Sequence, residues 1–404
     1  MHSTEPANTL SNQTPKDWEI LEFPKTIHNQ RIAVGKVKKQ DYSPSGKYPI
    51  IDQSQDFIAG YSDDEALVYR GTLPVVIFGD HTRIFKYVDF PFISGADGTK
   101  VLLPDQKFVH PKYYYYALLN LDIPSKGYNR HFKLLKEQVM PIPPLPEQRA
   151  IAHVLSTVRQ AIDATEGYIV AARELKRSMM KHLFTYGPVP VHEADQVTLK
   201  DTEIGKMPEA WDVKRIGELA DIKTGGTPLR SNPNYWDGNI PWVKTGEINY
   251  NIITKTEEYI TEEGFQNSSA KMIPVGTLLM AMYGQGVTRG KVAILGIEAT
   301  LNQACAAFYL SDNISPKFLF YYFSHDYERI RNMGHGAHQK NLSATILKNL
   351  LVAIPPCQQQ IDIFRFLNKI DNKINAEIQR KEALEMLFHS LLHHLMTGKA
   401  RVKL

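Results

Sequence analysis

The sequence predicts a mixed α/β (α+β) fold with two pseudo-symmetric globular domains, separated by two long helices that pack as an antiparallel coiled coil. Three observations carry this prediction. One segment of the chain is repeated at a fixed offset, each copy has the periodicity of one long helix, and the blocks around the copies combine β-type runs with Gly and Pro. A chain of 404 residues is long enough for roughly two to four domains, which accommodates this plan.

The repeat aligns residues 141–186 with residues 353–398 at a constant offset of 212 and without a gap. Fourteen of the 44 positions from 142 to 185 are identical in the two copies, whereas about three would be expected from ordinary composition. The similarity extends upstream, because residues 109–116 and 314–321 each place aromatic residues after a Pro-Lys pair. We interpret the chain as a duplication with the order domain, helix, domain, helix.

Each copy of the repeat has the pattern of one long helix. Apolar residues recur mostly every three or four positions, a Pro-Pro pair precedes each helix, and a Gly follows it. An apolar seam about 60 Å long would be exposed on an isolated helix, so we expect each helix to cover the other. Two unrelated helices that each cover their own domain are the alternative, but they leave the shared register unexplained. The residues predicted at the helix-pair or partner interface are Ile151, Leu155, Ile162, Leu175, Leu183, Ile363, Leu367, Ile374, Leu387 and Leu395.

The repeat and the composition shifts divide the chain into seven segments. The predicted boundaries are 1–16 for a flexible tail, 17–146 for the first domain, 147–187 for the first spacer helix, 188–210 for a linker, 211–358 for the second domain, 359–399 for the second spacer helix and 400–404 for a short tail.

Charge and composition limit the possible functions. Lys and Arg number 47 and Asp and Glu number 43, so the formal net charge is only +4. Because no segment is a basic tail, nucleic-acid binding would have to come from local patches. No apolar run approaches the ~20 residues that span a bilayer, and the polar N-terminus lacks the pattern of a secretory signal. We therefore expect a cytoplasmic protein that does not bind membranes.

The sequence contains no recognisable catalytic constellation. Residues 232–235 (Asn-Pro-Asn-Tyr) differ at one position from the adenine-gripping loop of amino-methyltransferases, but no strand-to-helix glycine loop for S-adenosylmethionine is present. The phosphate loop GxxxxGK[ST] and the GxSxG motif are also absent. Cys305 and Cys357 form neither a CxxC pair nor a disulfide framework. We therefore expect no catalytic residue, no metal and no cofactor in this chain.

The duplicated plan favours DNA recognition. Two similar domains on a rigid spacer would contact two half-sites at a fixed separation, as a symmetric dimer does on a palindrome. Because the two domains have diverged in sequence, their half-sites should differ. The alternative from another class is a structural adaptor, in which the helix pair joins partners and the domains bind proteins.

Specific motifs resemble a known family. Residues 142–144 and 354–356 both read Ile-Pro-Pro and are followed by a Gln at the same distance. Residues 225–228 (Gly-Gly-Thr-Pro) are followed by Tyr-Trp at 235–236 and by Ile-Pro-Trp at 240–242. This series resembles the DNA specificity subunit of type I restriction-modification systems, from about residue 17 to the C-terminus. The first half departs from it, since residues 46–49 (Gly-Lys-Tyr-Pro) replace the tryptophan-bearing version.

The resemblance implies a non-catalytic subunit with two target-recognition domains, each reading one half of a split sequence in double-stranded DNA. It further implies that the helices form the spacer and dock two methyltransferase (modification) subunits, with restriction and translocase subunits completing the complex. S-adenosylmethionine, ATP and Mg²⁺ would then be bound by those partners.

Candidate DNA contacts come from loops that combine base-reading amides with phosphate-binding cations. The same Gly-rich loops could serve only as solvated turns. The candidates in the first domain are Arg70, Arg83, Lys86, Lys126, Asn129, Arg130 and His131. Those in the second domain are Thr227, Arg230, Lys244, Arg289, Lys291, His338, Gln339, Lys340 and Asn341.

Overall fold

The computed structural model describes residues 14–28, 32, 34–96, 98–125, 127, 129–284, 287–333 and 341–402. The chain divides into two compact units, of which the first contains residues 1–167 and 378–404 and the second contains residues 168–377. Each long helix therefore contributes to both units. Helices and strands occur in both, so the predicted mixed fold with two domains is confirmed.

The first unit contains three small sheets. Its strands are β1 (Glu19–Glu22), β2 (Lys36–Val37), β3 (Tyr48–Ile51), β4 (Gly60–Ser62), β5 (Val75–Gly79), β6 (Phe85–Val88), β7 (Ile93–Gly95), β8 (Thr99–Leu102) and β9 (Val139–Ile142). Its helices are α1 (Pro111–Leu119), α2 (Phe132–Lys136) and the start of α3 (Leu145–Tyr186). β1 pairs with β9, β5 lies between β6 and β8, and the remaining sheet has the order β2-β7-β3-β4.

The second unit repeats this plan with a larger central sheet. Its strands are β10 (Leu199–Thr202), β11 (Gly205–Pro208), β12 (Asp212–Arg215), β13 (Ala220–Thr224), β14 (Trp236–Val243), β15 (Asn251–Ile253), β16 (Glu258–Ile260), β17 (Leu278–Ala281), β18 (Val292–Leu295), β19 (Thr300–Leu301), β20 (Cys305–Leu310) and β21 (Leu351–Ile354). Its helices are α4 (Ile216–Leu219), α5 (Glu262–Gln266), α6 (Pro316–His325), α7 (Tyr327–Asn332), α8 (Ala344–Lys348), the end of α3 and the start of α9 (Cys357–Met396). The sheets have the orders β13-β20-β17-β18-β15 and β16-β14-β19, with β12-β21 and β10-β11 as separate pairs.

The elements that lead into the long helices obey the predicted offset. Helix α2 and strand β9 precede α3, just as α8 and β21 precede α9, and the bounds of each differ by 212 from those of its counterpart. β9 and β21 also pair antiparallel with equivalent strands, β1 and β12. The repeat in the sequence is therefore a repeat of structure.

Within the first unit the two long helices run antiparallel. The Arg159 guanidinium lies 4.5 Å from the ring centroid of Phe388. Seven residues further along α3, Glu166 forms an ion pair of 3.1 Å with Lys381, which is seven residues further back on α9. Both helices contribute to one buried cluster, whose members include Ile151, Leu155, Ile162, Phe388, Leu392 and Leu395.

The second unit shows the same antiparallel pairing. Lys176 Nζ is 2.6 Å from Asp371 Oδ1, and Lys373 Nζ lies 5.6 Å from the ring centroid of Tyr168. Apolar residues of both helices share the main core of this unit, namely Met180, Leu183, Phe184, Ile363 and Leu367. Ile374 and Leu395 are buried as well. Of the ten predicted interface residues, eight are therefore buried, and Leu175 and Leu387 are the exceptions.

Leu175 and Leu387 do not join the helix pair. Their exposed fractions are 54% and 46%, and they occupy equivalent positions of the repeat. On α3 the buried face runs through Ile169, Ala172, Lys176, Met180 and Leu183, which are three or four residues apart. Leu175 is one residue before Lys176 and therefore points away from this face. The expected place of both leucines in the helix pair is therefore wrong, because Ala172 and Lys176 occupy the seam of α3 at this turn, and the buried Phe388 occupies the seam of α9 in place of Leu387.

Among the described residues, no helix is long and apolar enough to cross a membrane.

Candidate nucleic-acid interface

A buried glutamine at the start of α3 ties this helix to the first domain. The Oε1 atom of Gln148 accepts a hydrogen bond from the backbone N–H of His110 (2.7 Å). Its Nε2 donates to the carbonyl oxygens of Phe108 (2.9 Å) and Pro143 (2.8 Å). Since one amide satisfies three backbone groups, it fixes how α1 meets the first turn of α3.

Gln360 repeats this arrangement at the start of α9. Its Oε1 accepts from the N–H of Ser315 (2.9 Å), and its Nε2 donates to the carbonyl oxygens of Asn313 (3.2 Å) and Pro355 (3.1 Å). An amide is required because these backbone partners need one acceptor and two donors from the same side chain. The identity at 148 and 360 therefore has a structural cause.

We expect Gln148→Ala to lower the free energy of unfolding by about 2–4 kcal/mol, because three backbone groups, one buried and two partly buried, would lose their partner. The same loss is expected for Gln360→Ala. Urea unfolding checks the magnitude, and hydrogen exchange should show lost protection in α1 for the first variant and in α6 for the second. Gln358→Ala is the matched control, because Gln358 is exposed and its side chain bonds to the neighbouring Asp362; its effect should stay within about 0.5 kcal/mol. A similar loss in the control would contradict this role.

The residue directly before each glutamine accepts a hydrogen bond from a tryptophan indole N–H. Trp18 Nε1 donates to Glu147 Oε2 (3.1 Å), and Trp211 Nε1 donates to Gln359 Oε1 (2.8 Å). Glu147 is buried, and its charge is compensated by Arg401 Nε at 2.6 Å. No cation pairs with Gln359 among the described residues, which accounts for a neutral side chain at that position.

Three loops of the first domain meet at one cleft of about 740 Å³. Its walls come from residues 38–42 after β2, residues 52–54 after β3, and residues 81–82 in the turn between β5 and β6. Loops at the ends of strands are common locations for binding residues, because the strands hold them in place.

The rim of this cleft carries side chains suited to DNA. Lys38, Lys39 and Gln40 are exposed, and within the described part of the chain their side chains have no hydrogen-bond or ion-pair partner. Ammonium groups bind phosphates, and a glutamine amide can pair with the edge of adenine. The three residues can therefore both position a DNA backbone and read a base.

The cleft is braced by bonds between its loops. Thr82 Oγ1 donates to the carbonyl oxygen of Gln53 (2.8 Å), and the N–H of His81 donates to Gln53 Oε1 (3.1 Å). Asp52 accepts from the N–H of Ser54 (2.8 Å) and from the Tyr42 hydroxyl (3.3 Å). Burial and the nearby Asp52 carboxylate raise the pKa of Tyr42, so this hydroxyl remains a donor at neutral pH.

Lys86 lies inside the domain, contrary to its expected place at the DNA surface. It is 4% exposed and donates to the carbonyl oxygen of Asp56, with Asp52 Oδ1 at 3.9 Å. Burial lowers its pKa, although Asp52 and Asp56 oppose that shift. Because both faces of β6 are covered, the side chain serves its own domain and a direct DNA contact is not supported.

His131 is also buried. Its backbone N–H donates to the carbonyl oxygen of Asp80 (2.8 Å), and its Nδ1 lies 3.0 Å from the same oxygen. These contacts hold the start of α2 against the β5–β6 turn. The exposed Asn129 and Arg130 precede it directly and stay candidates for DNA contact, whereas Lys126 lies outside the described residues.

The two remaining arginines of the first domain lie in different places. Arg83 is exposed in the β5–β6 turn with a left-handed backbone (φ 62°), and its Nη1 donates to the carbonyl oxygen of Ile123 (2.7 Å). Arg70 pairs with Glu65 (2.8 Å) beside Tyr48, the first residue of β3. Since the cleft lies past the other end of β3, the structure does not bring Arg70 to it.

In the second domain the structure brings Arg230 and Lys244 together around Glu258. Arg230 forms an ion pair with this carboxylate and also lies over the ring of Trp236 (3.7 Å), while Lys244 Nζ is 2.9 Å from Glu258 Oε1. Burial opposes ionisation of Glu258, but both cations lower its pKa on balance. Nearby, the Thr227 hydroxyl donates to the Gln303 side chain. Lys244 Nζ also lies 2.8 Å from Glu257 Oε2, so the two cations face two carboxylates and DNA would have to compete with both.

The other second-domain candidates divide by exposure. Lys291 Nζ donates to Asn249 Oδ1 (2.7 Å) at the surface, and Asn341 is exposed. Arg289 is only 8% exposed, so burial in its domain replaces the expected surface position. The predicted residues His338, Gln339 and Lys340 lie outside the described part of the chain.

The cleft residues Lys38, Lys39 and Gln40 were not among the sequence candidates. A run of two cations and an amide directly after a short β-type segment could have indicated them. That signal is weak, because only the fold shows that the segment meets the β5–β6 turn.

The family model described as the type I restriction modification DNA specificity domain matches residues 25–171 and 208–386. The type I restriction enzyme MjaVIII specificity subunit of Methanocaldococcus jannaschii is 25% identical, over 97% of this chain and 95% of its own length. The EcoR124I/EcoR124II specificity subunit of Escherichia coli is 25% identical, over 84% and 83%.

A solved structure shares the fold. The S subunit of a type I restriction-modification system from M. genitalium aligns over 95% of this chain and 97% of its own, with a TM-score of 0.63 and 17% identity.

Proposed function

Because the chain belongs to the family of type I restriction-modification DNA specificity domains, we propose that it recognises a split DNA target as the specificity subunit of such a system. The observation that carries the proposal is the double match of the family model, once in each half of the chain. We assign one half of the target to the domain 17–146 and the other to the domain 211–358.

The proposed DNA contacts are exposed or partly exposed residues of the two domains. In the first domain they are Lys38, Lys39, Gln40, Arg83, Asn129 and Arg130, together with the predicted Lys126. In the second domain they are Thr227, Arg230, Lys244, Lys291 and Asn341, together with the predicted His338, Gln339 and Lys340. The different side chains in the two sets support an asymmetric target, because different donors and acceptors read different base edges.

We further propose that two modification subunits dock on the long helices. The exposed Leu175 and Leu387 support this part of the proposal. Each is a large apolar side chain on a helix surface, and the repeat places one in each unit. Equivalent contacts in two units suit two copies of one partner.

The chemistry is assigned to the partners. We propose that the chain is non-catalytic and works in the cytoplasm, while S-adenosylmethionine, ATP and Mg²⁺ are bound by modification and restriction subunits. S-adenosylmethionine binding to the purified chain alone would support an enzyme instead, and calorimetry tests this directly.

The alternative role as a protein-binding adaptor predicts a different binding result. The complex of this chain with its modification subunits should bind its target at least about 10³-fold more tightly than unrelated DNA of equal length. Scrambling either half-site should remove most of this preference, whereas scrambling the gap should not. Equal affinity for all five DNA molecules would contradict the proposed function.

A further inference from the structure

Helix α3 carries an uncompensated cationic face within the second unit. Arg173 and Arg177 are four residues apart, so they lie on the same face of the helix. Both are exposed, and neither pairs with an acidic group among the described residues. Lys176 between them is different, because Asp371 holds its ammonium group at 2.6 and 2.8 Å. The two arginines are therefore available to a ligand, and Lys176 is not.

These arginines form one wall of a cleft of about 580 Å³. The opposite wall contains the aromatic side chains of Tyr250, Phe320 and Tyr327. The rings of Tyr250 and Tyr327 pack edge to face with centroids 6.0 Å apart, which keeps this wall in place. The cleft thus presents guanidinium groups beside a rigid, largely apolar surface.

The positive charge continues from this cleft toward the predicted reading loop of the second domain. Lys291, one of the candidate DNA contacts, lies with its Nζ 5.7 Å from the ring centroid of Tyr250. Arg331 Nη1 is 2.9 Å from the Tyr327 hydroxyl oxygen. A cationic track therefore runs from the loop at Lys291 to the helix at Arg173.

Little negative charge opposes this track in the described part of the unit. Glu328 is the acidic residue that lines the cleft. Asp326 lies close by but is compensated by Arg329, whose Nε is 2.9 and 2.8 Å from its two carboxylate oxygens. With Arg173, Arg177 and Lys291 against the single carboxylate of Glu328, the track attracts anions.

We propose that this track binds the phosphodiester backbone of DNA next to the half-site read by the second domain. This inference rests on the proposed function, and it adds a DNA contact to a helix that is otherwise assigned to spacing the domains and docking a modification subunit. DNA is favoured over an acidic protein because the track begins at a loop already assigned to base reading. Arginine and lysine contacts to phosphates add affinity without reading sequence.

The repeat confines this contact to one half of the molecule. At the offset of 212, Arg173 corresponds to Glu385 and Arg177 to His389, and Glu385 lies 3.8 Å from its neighbour Lys381. The equivalent helical face in the first unit is therefore not cationic. The contact should support only the backbone beside the second half-site.

The test is the salt dependence of DNA binding by the complex with modification subunits. In the variant Arg173→Gln with Arg177→Gln, the slope of log affinity against log salt should fall by about 2, since each lost phosphate contact removes about 0.9. At about 0.1 M salt the Kd should rise on the order of 10- to 60-fold. The preference for the correct base at every position of the target should remain unchanged.

Two further variants keep the result interpretable. The variant Arg173→Lys with Arg177→Lys retains both positive charges, so the slope of log affinity against log salt should stay close to that of the unaltered complex. This comparison tests the charges without relying on the fold of the glutamine variant. Lys206→Gln with Lys369→Gln removes two exposed cations elsewhere in the second unit and should leave the slope unchanged.

Neutral methylphosphonate linkages locate the contact. Placed beside the second half-site, they should weaken binding of the unaltered complex but not that of the glutamine variant. An unchanged slope in the glutamine variant, or an equal fall in the Lys206 and Lys369 control, would overturn the proposal. If the unaltered complex does not prefer its target at all, the proposed function fails instead.

Discussion

Replacement of Lys38, Lys39 and Gln40 by alanine is expected to abolish recognition of one half-site and to spare the other. The three side chains stand on the rim of the first-domain cleft without partners in the described chain. Loss of two phosphate contacts and one base contact should raise the Kd on the order of 10²- to 10³-fold at about 0.1 M salt. The measurement is binding by the complex with modification subunits to targets in which one half-site at a time carries each base substitution.

The result should be asymmetric between the two halves. At one or more positions of a single half-site, the ratio of affinities for the correct and the wrong base should fall by about 10- to 100-fold. The reason is that the lost bidentate contact no longer discriminates against the wrong base. Lys16→Ala with Lys107→Ala removes two exposed cations of the first unit outside the cleft and is the control. Unaltered recognition in the triple variant, or an equal loss at both halves, would show that this cleft does not read DNA.

Lengthening both long helices is expected to change the distance between the half-sites that the complex accepts. Four residues add about 6 Å to a helix, which corresponds to one or two base pairs at about 3.4 Å each. The insertions belong at Gly167 and Arg380, because the neighbouring pair Glu166 and Lys381 shows that these positions face each other. Insertion at facing positions keeps the apolar seam in register on both sides.

A single insertion provides the contrast. Four extra residues in one helix alone would shift it by more than one turn against its partner, so we expect lost stability and weakened DNA binding. The measurement is affinity for a series of targets whose gap changes by one base pair at a time. An unchanged optimum in a folded double-insertion variant would contradict the role of the helices as the spacer.

The long helices could be predicted from the sequence because their signal is local and repeated. The offset of 212 residues joins two copies of one pattern, and the structure shows α3 and α9 beginning at equivalent positions and ending within two residues of equivalence. The individual leucines were harder to place. Leu175 and Leu387 each lie one position away from the buried seam. Where the apolar pattern of a helix has a gap of six residues, the sequence does not show whether the next apolar residue lies on the buried face or beside it.

The DNA-facing surface could be predicted only in part, because exposure depends on contacts between distant segments. Lys86 and Arg130 carry the same charge, yet the first is buried beside Asp52 and the second is exposed. Neither local sequence shows the difference. The role of Gln148 was also hidden, since its partners Phe108 and His110 precede it by about 40 residues. The repeat showed that a glutamine is present at this position in both copies, and the structure shows that its side chain bonds to the backbone of distant residues.

The most direct test of a split target read by two unlike domains is modified-base sequencing of the host genome with and without this gene. We expect one methylated motif to disappear, composed of two different short half-sites that are separated by a gap of fixed length and free sequence. A continuous motif, two identical half-sites, or an unchanged methylation pattern would contradict the account.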